Sequence, residues 1–195
     1  MAIKVVLFDL GGVIIRLGEH IFPPHWLMNN SSFSLQEWLR SPTAKEFEIG
    51  AIGTQQFAQT LKTDLALQQS EEQIIQRFTA WPEALFPTAV EILTSLKGAS
   101  TIAALSNINE LHAPRMRGEF HLNRYFDDLY FSNELGLAKP DPDIYLKVVE
   151  LLEVVPQEVV FFDDVKANVE AALDVGLHAH QVFGPDSVRA HLTKY

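Results

Sequence analysis

Apolar positions fall into short unbroken blocks at the start of the chain and through its second half. Residues 3–8 (IKVVLF) form such a block, rich in β-branched residues, and predict a strand buried on both faces. Residues 101–105, 129–131, 159–162 and 179–183 predict further strands. Between these blocks the spacing changes to one apolar position every three or four. Residues 87–97 place Val90, Ile92, Leu93 and Leu96 on one helical face, and 141–154 do the same with Ile144, Tyr145, Val148, Val149, Leu151 and Leu152. The second of these opens on Pro-Asp-Pro, a helix-starting signal. Residues 109–120 and 167–175 predict two more helices, the latter stopped by Gly176. Regular alternation of strand and helix predicts an α/β three-layer sandwich, a parallel sheet with helices on both faces.

Residues 16–84 break the rhythm. Prolines at 23, 24 and 42 punctuate the stretch, and its patterned segments, 34–40, 54–67 and 70–81, all read as helices. Thr54 is placed to cap one helix, whose face carries Phe57, Leu61 and Leu65, and Ser70 to cap the next. No strand of any strength is visible there. The reading is a helical insert after the first strand. Trp26, Trp38 and Trp81 are assigned to packing.

Composition narrows the function. The 195 residues carry a formal net charge of -10, which argues against nucleic acid and anionic membranes as partners. A small phosphorylated ligand remains compatible, because a pocket can be locally positive. There is no Cys, so disulfides, thiolate metal sites and cysteine nucleophiles are excluded, and a cytoplasmic setting is expected. No apolar run approaches the ~20 residues of a membrane span.

Chemistry gathers at the strand ends. Asp9 follows the first strand and is itself followed by Gly11 and Gly12; Ser106-Asn107, Lys139-Pro140 and Asp163-Asp164 end later segments. Open α/β sheets bind ligands beyond the carboxyl ends of their strands. Taken singly, each residue has an ordinary explanation: a turn-capping Asp, a Ser-Asn helix cap, a surface lysine. Together, FDLGG at 8–12, LSN at 105–107, KPDPDIY at 139–145 and FFDDVKAN at 161–168 resemble, in order, the four motifs of the haloacid dehalogenase (HAD) superfamily. Within it the chain is most similar to the sugar-phosphatase-like branch, of the α-D-glucose-1-phosphate phosphatase type, whose first motif reads Asp-Leu-Gly. The segment FEIGAIGTQQF at 47–57 resembles that branch's cap.

The resemblance implies a HAD-like Rossmannoid core over 1–15 and 85–195 with strand order 5-4-1-2-3, and a small α-helical cap over 16–84. It implies a Mg²⁺-dependent hydrolase of a small phosphorylated metabolite, a sugar phosphate being one class. Asp9 would be the nucleophile, since a carboxylate is ionised at neutral pH and attacks phosphorus without a base. Ser106 and Asn107 would hold phosphate oxygens through the hydroxyl and backbone N–H groups, helped by a helix N-terminus. Lys139 would neutralise Asp9 and the phosphoryl group. Asp9, the Gly11 carbonyl, Asp163 and Asp164 would hold the metal, since adjacent buried carboxylates repel without a cation. Asn168, one helical turn beyond Asp164, would support them.

One departure matters. Phosphatases of the superfamily usually carry an acid/base Asp where this chain has Gly11. No nearby Asp or Glu obviously substitutes: Glu19 is the closest carboxylate downstream, and His20 and His25 are alternatives in the insert, each better read as a surface or packing residue than as a stand-in acid. The gap keeps two alternatives open: a metal-free 2-haloacid dehalogenase, against which the Asp163-Asp164 pair argues, and a catalytically weakened protein that binds a phosphorylated ligand or another protein.

Overall fold

The computed structural model describes residues 2–27 and 34–193; residues 28–33 of the expected cap and 1, 194 and 195 of the expected core lie outside them. The elements in chain order are β1 (Val5–Phe8), β2 (Ile15–Leu17), α1 (Leu35–Trp38), α2 (Pro42–Glu48), α3 (Thr54–Asp64), α4 (Glu71–Thr79), β3 (Pro82–Leu85), α5 (Ala89–Leu96), β4 (Thr101–Ser106), α6 (Ala113–Arg117), β5 (Asp128–Phe131), α7 (Ser132–Leu135), α8 (Pro142–Leu151), β6 (Val159–Asp163), α9 (Lys166–Asp174), β7 (His178–Gln181) and α10 (Pro185–Leu192).

The main sheet has the order β5-β4-β1-β6-β7, and every neighbouring pair is parallel. Counted along the chain, these core strands are 3-2-1-4-5, the expected order read from the other edge. Side chains alternate between faces along a strand. Val6 and Phe8 of β1 therefore pack with α5, α6 and α10 on one side, while Val5 and Leu7 pack with α8 and α9 on the other. β1 and β6 are wholly buried, which is why their sequences are continuously apolar up to Asp163 at the end of β6.

The insert has its own core. Phe47 stacks on Phe57 with ring centroids 4.0 Å apart, and Phe78 and Trp38 meet Phe57 edge-on at 4.7 and 5.3 Å. Burying each such ring contributes roughly 2–3 kcal/mol, enough to hold four short helices together. Ser70 caps α4 in a reciprocal box with Gln73. Thr54 does not cap α3. It is the first helical residue, and its N–H and hydroxyl both donate to the Glu110 carboxylate of the core.

Two expectations change. The segments entering and leaving the insert, β2 and β3, pair as an antiparallel ribbon. The sequence PEAL lacks a strand signal; it is extended because tertiary closure brings it alongside β2. The helix expected over 109–120 shrinks to Ala113–Arg117, because Asn109 folds the preceding segment by accepting from the N–H groups of Leu111 and His112. Among the described residues no helix is long and apolar enough to cross a membrane.

Candidate active site

β1, β4 and β6 end side by side. Their register pairs Phe8 with both Ala104 and Phe162, so Asp9 and Asp163 lie level, and the Asp9 N–H donates to the Phe162 carbonyl at 2.8 Å. Ser106 Oγ donates to Asp9 Oδ1 at 2.7 Å. Lys139 Nζ lies 2.9 Å from Asp9 Oδ1 and 2.6 Å from Asp163 Oδ2, with only 1% of its side chain exposed. Burial alone would lower the lysine's pKa, but the two carboxylates outweigh it and the ammonium is held. Burial is also the largest influence on Asp9 and raises its pKa; Lys139 opposes the rise and Asp163 adds to it.

The two adjacent aspartates are not equivalent. Asp163 is fully engaged: besides Lys139, it accepts from Asn168 Nδ2 at 3.0 Å on both oxygens and from the Val165 N–H at 2.8 Å. Asn168 is itself anchored, its carbonyl accepting from the Tyr145 hydroxyl at 2.9 Å. Asp164 instead borders the cavity with Asp9 and Gly11. Its pKa is pushed up to about 6 by burial and by the charges of Asp9 and Asp163. Oxygens of Asp9, Asp163 and Asp164 lie within 4.8 Å of one another. Three carboxylates sharing one lysine leave negative charge that a hard divalent cation fits. Gly12 makes room for this: at φ 72° it is left-handed, and a Cβ there would lie 2.3 Å from Asp164 Oδ2.

The Asn107 side chain serves the segment that carries Lys139. Its side-chain oxygen accepts from the Lys139 N–H and its amide donates to the Lys139 carbonyl, both at 2.9 Å, so it clamps the backbone that presents the lysine. No helix begins beside it; α6 starts only at Ala113. The peptide between Lys139 and Pro140 is cis.

A family model described as haloacid dehalogenase-like hydrolase matches residues 3–176. The chain belongs to this family. It is 24% identical over 200 residues to the D-ribitol-5-phosphate phosphatase of Bacteroides thetaiotaomicron, covering 98% of this chain and 97% of that protein. A shorter match, 50% identical over 56 residues, joins it to a phosphorylated carbohydrates phosphatase of Thermotoga maritima, covering 29% of this chain and 26% of that protein. Among solved structures, a HAD-family enzyme of B. thetaiotaomicron in complex with magnesium and inorganic phosphate superposes with a TM-score of 0.78 at 25% identity, covering 92% of this chain and 94% of that one.

In this HAD-like hydrolase none of the suggested stand-ins reaches the site. Glu19 is 90% exposed and sits beside His20, lining a separate surface hollow, and His25 is exposed. The carboxylate that does reach the cavity is Glu48, at the end of α2. The Asn107 amide donates to its Oε2 at 3.3 Å, and its backbone carbonyl accepts from Ser132 Oγ at 2.6 Å. Gly50, φ 72°, lets the following turn approach the Asn133 carbonyl, where a Cβ would come within 2.8 Å. Glu48 lies within the FEIGAIGTQQF segment at 47–57, whose resemblance to the branch's cap was the sequence signal for it. Trp81 lines the cavity as well as packing, its Nε1 donating to the Gly18 carbonyl at 3.0 Å. Trp38 is buried and Trp26 stacks on Phe22.

Proposed function

We propose that the chain is a Mg²⁺-dependent phosphomonoesterase working through an aspartyl-phosphate on Asp9, with phosphorylated sugars and sugar alcohols as the leading substrate class. The observation that carries this reading is the convergence of Asp9, Ser106, Lys139 and Asp164 on one cavity of about 290 Å³, which suits a small metabolite. The relatives that act on D-ribitol 5-phosphate and phosphorylated carbohydrates support the substrate class.

Asp9 attacks phosphorus through the oxygen not held by Ser106 and Lys139. Lys139 stays protonated between Asp9 and Asp163, so a positive charge is in position as charge builds on the phosphoryl oxygens. Asp163 and Asn107 fix that lysine, the first through its carboxylate and the second through its backbone. Asp9, the Gly11 carbonyl and Asp164 would hold Mg²⁺, which supplies positive charge against the phosphate oxygens when bound; Asp163 serves Lys139 instead. The helical segment 16–84 acts as the cap over a core formed by 1–15 and 85–195. The acidic cluster favours this chemistry over halide displacement, which needs no cation.

The test is phosphate release from a panel of sugar and sugar-alcohol phosphates with Mg²⁺ and with EDTA, beside halide release from 2-haloacids. Mg²⁺-dependent phosphate release that vanishes in Asp9→Asn is expected. Halide release without metal, or an Asp9→Asn variant keeping most of its rate, would overturn the reading.

A further inference from the structure

We infer that Glu48, a residue of the helical insert, is the proton donor and acceptor that Gly11 cannot be. The inference rests on the phosphomonoesterase reading above and adds to it the group that handles the leaving oxygen.

Among the described residues, three carboxylates line the cavity: Asp9, Glu48 and Asp164. Asp9 is taken by attack on phosphorus and Asp164 by the metal. The other weak acid in the lining is His112, and it is spoken for. Its Nε2 is 2.7 Å from the Phe78 carbonyl and its Nδ1 is 3.3 Å from the Asn109 amide. Burial brings its pKa down to about 4. Lys139 is locked between two carboxylates. Glu48 is what remains. It enters the cavity from the end of α2 in the insert, whereas Asp9 enters from the end of β1 in the core; an in-line attack sends the leaving group away from the nucleophile.

Its surroundings suit proton exchange at neutral pH. Burial and the Asp9 charge favour the neutral carboxyl, against Lys139, the Asn107 hydrogen bond and Lys45, and its pKa settles at about 7. A group that titrates near the working pH both gives and takes protons efficiently. Asn107 donates to Oε2 at 3.3 Å, orienting a carboxyl that lines the cavity.

The proton inventory closes. In the first half, an Asp9 oxygen bonds to phosphorus, the bond from phosphorus to the ester oxygen breaks, and the Glu48 proton passes to that oxygen, releasing a neutral alcohol. In the second half, water attacks phosphorus, its proton returns to Glu48, and the Asp9–phosphorus bond breaks. The sum is ester plus water giving alcohol plus phosphate.

The decisive experiment compares kcat/KM for wild type and Glu48→Gln across 4-nitrophenyl phosphate, less activated aryl phosphates and an alkyl phosphate, with folding checked by Tm. The expected loss is about 10²-fold on the alkyl ester and under about tenfold on 4-nitrophenyl phosphate. The variant should also lose the fall in rate that wild type shows as pH rises past about 7. Equal losses on all esters, or no loss, would overturn the inference while leaving the phosphatase reading intact. Should Glu48→Gln not fold, the wild-type series decides: a shallow dependence on leaving-group pKa supports an acid and a steep one refutes it. A wild type that releases no phosphate from any ester with Mg²⁺ defeats the underlying reading, and this inference with it.

Discussion

The adjacent glycines after Asp9 should respond to alanine to very different degrees, and the reason is geometric. At Gly12 the backbone sits at φ 72°, and an added Cβ would lie 2.3 Å from Asp164 Oδ2 and 2.8 Å from its carboxyl carbon. Left-handed backbone costs a non-glycine residue roughly 1–2 kcal/mol, and the carboxylate must also move. At Gly11 the nearest atom to an added Cβ is Leu17 Cδ1, the far end of a flexible side chain, at 3.3 Å, and φ is outside the left-handed region. For a chain of this size 1 kcal/mol corresponds to about 2–4 °C in Tm. Gly12→Ala should therefore lower the metal-free Tm by about 2–8 °C, and Gly11→Ala by under about 2 °C. Mg²⁺ at one hundred times its Kd stabilises a binding protein by about 2.7 kcal/mol, or some 5–11 °C here. That increment should persist in Gly11→Ala, whose carbonyl is untouched, and largely disappear in Gly12→Ala. Thermal melts of the three proteins with EDTA and with Mg²⁺ measure both quantities. A Gly12→Ala variant that keeps the full Mg²⁺ increment would refute the placement of the metal against Asp164.

Lys139→Met removes the cation shared by Asp9 and Asp163 and should cost about 3–5 kcal/mol near neutral pH; burial raises the Asp9 pKa and Lys139 opposes that rise, so without the lysine Asp9 favours the neutral form more strongly when folded, the deficit should shrink on acidification, and a pH-independent deficit in Tm would contradict this. Glu48 is raised from 4.5 to about 7, so its neutral form stabilises the fold fully below about 4.5 and that stability is lost as pH rises through 7. Glu48→Gln should then melt at the same temperature as wild type near pH 4.5 but higher at pH 8, with a ceiling of about 3 kcal/mol; an equal Tm at both pH values would show that burial does not penalise the charged carboxylate. Gly11→Asp, which the backbone angle permits, should recover alkyl-phosphate turnover in the Glu48→Gln background by about tenfold or more and do less for 4-nitrophenyl phosphate; equal recovery on both would separate the new carboxyl from leaving-group protonation.

The amino-acid sequence carried the core nearly whole. Its strands are buried on both faces, so their apolar blocks are unbroken, and its helices have one apolar face, so their spacing is equally plain. The ends of three of these strands bear Asp9, Ser106 and Asp163, and parallel pairing necessarily brings them to one edge; Lys139, in the loop before α8, joins them there. What the linear order did not contain were relations between distant segments. Asp163 and Asp164 look alike in sequence, and only the positions of Lys139, Asn168 and Gly12 divide their tasks. β3 is extended because β2 lies beside it, not because PEAL favours a strand. Glu48 resembles any exposed helix glutamate until Ser132, Asn107 and the glycine at 50 seat the end of α2 against the core. Local pattern records which residues avoid water. Which charges share a cavity is set by how the insert and the core pack together, and that was decided only in three dimensions.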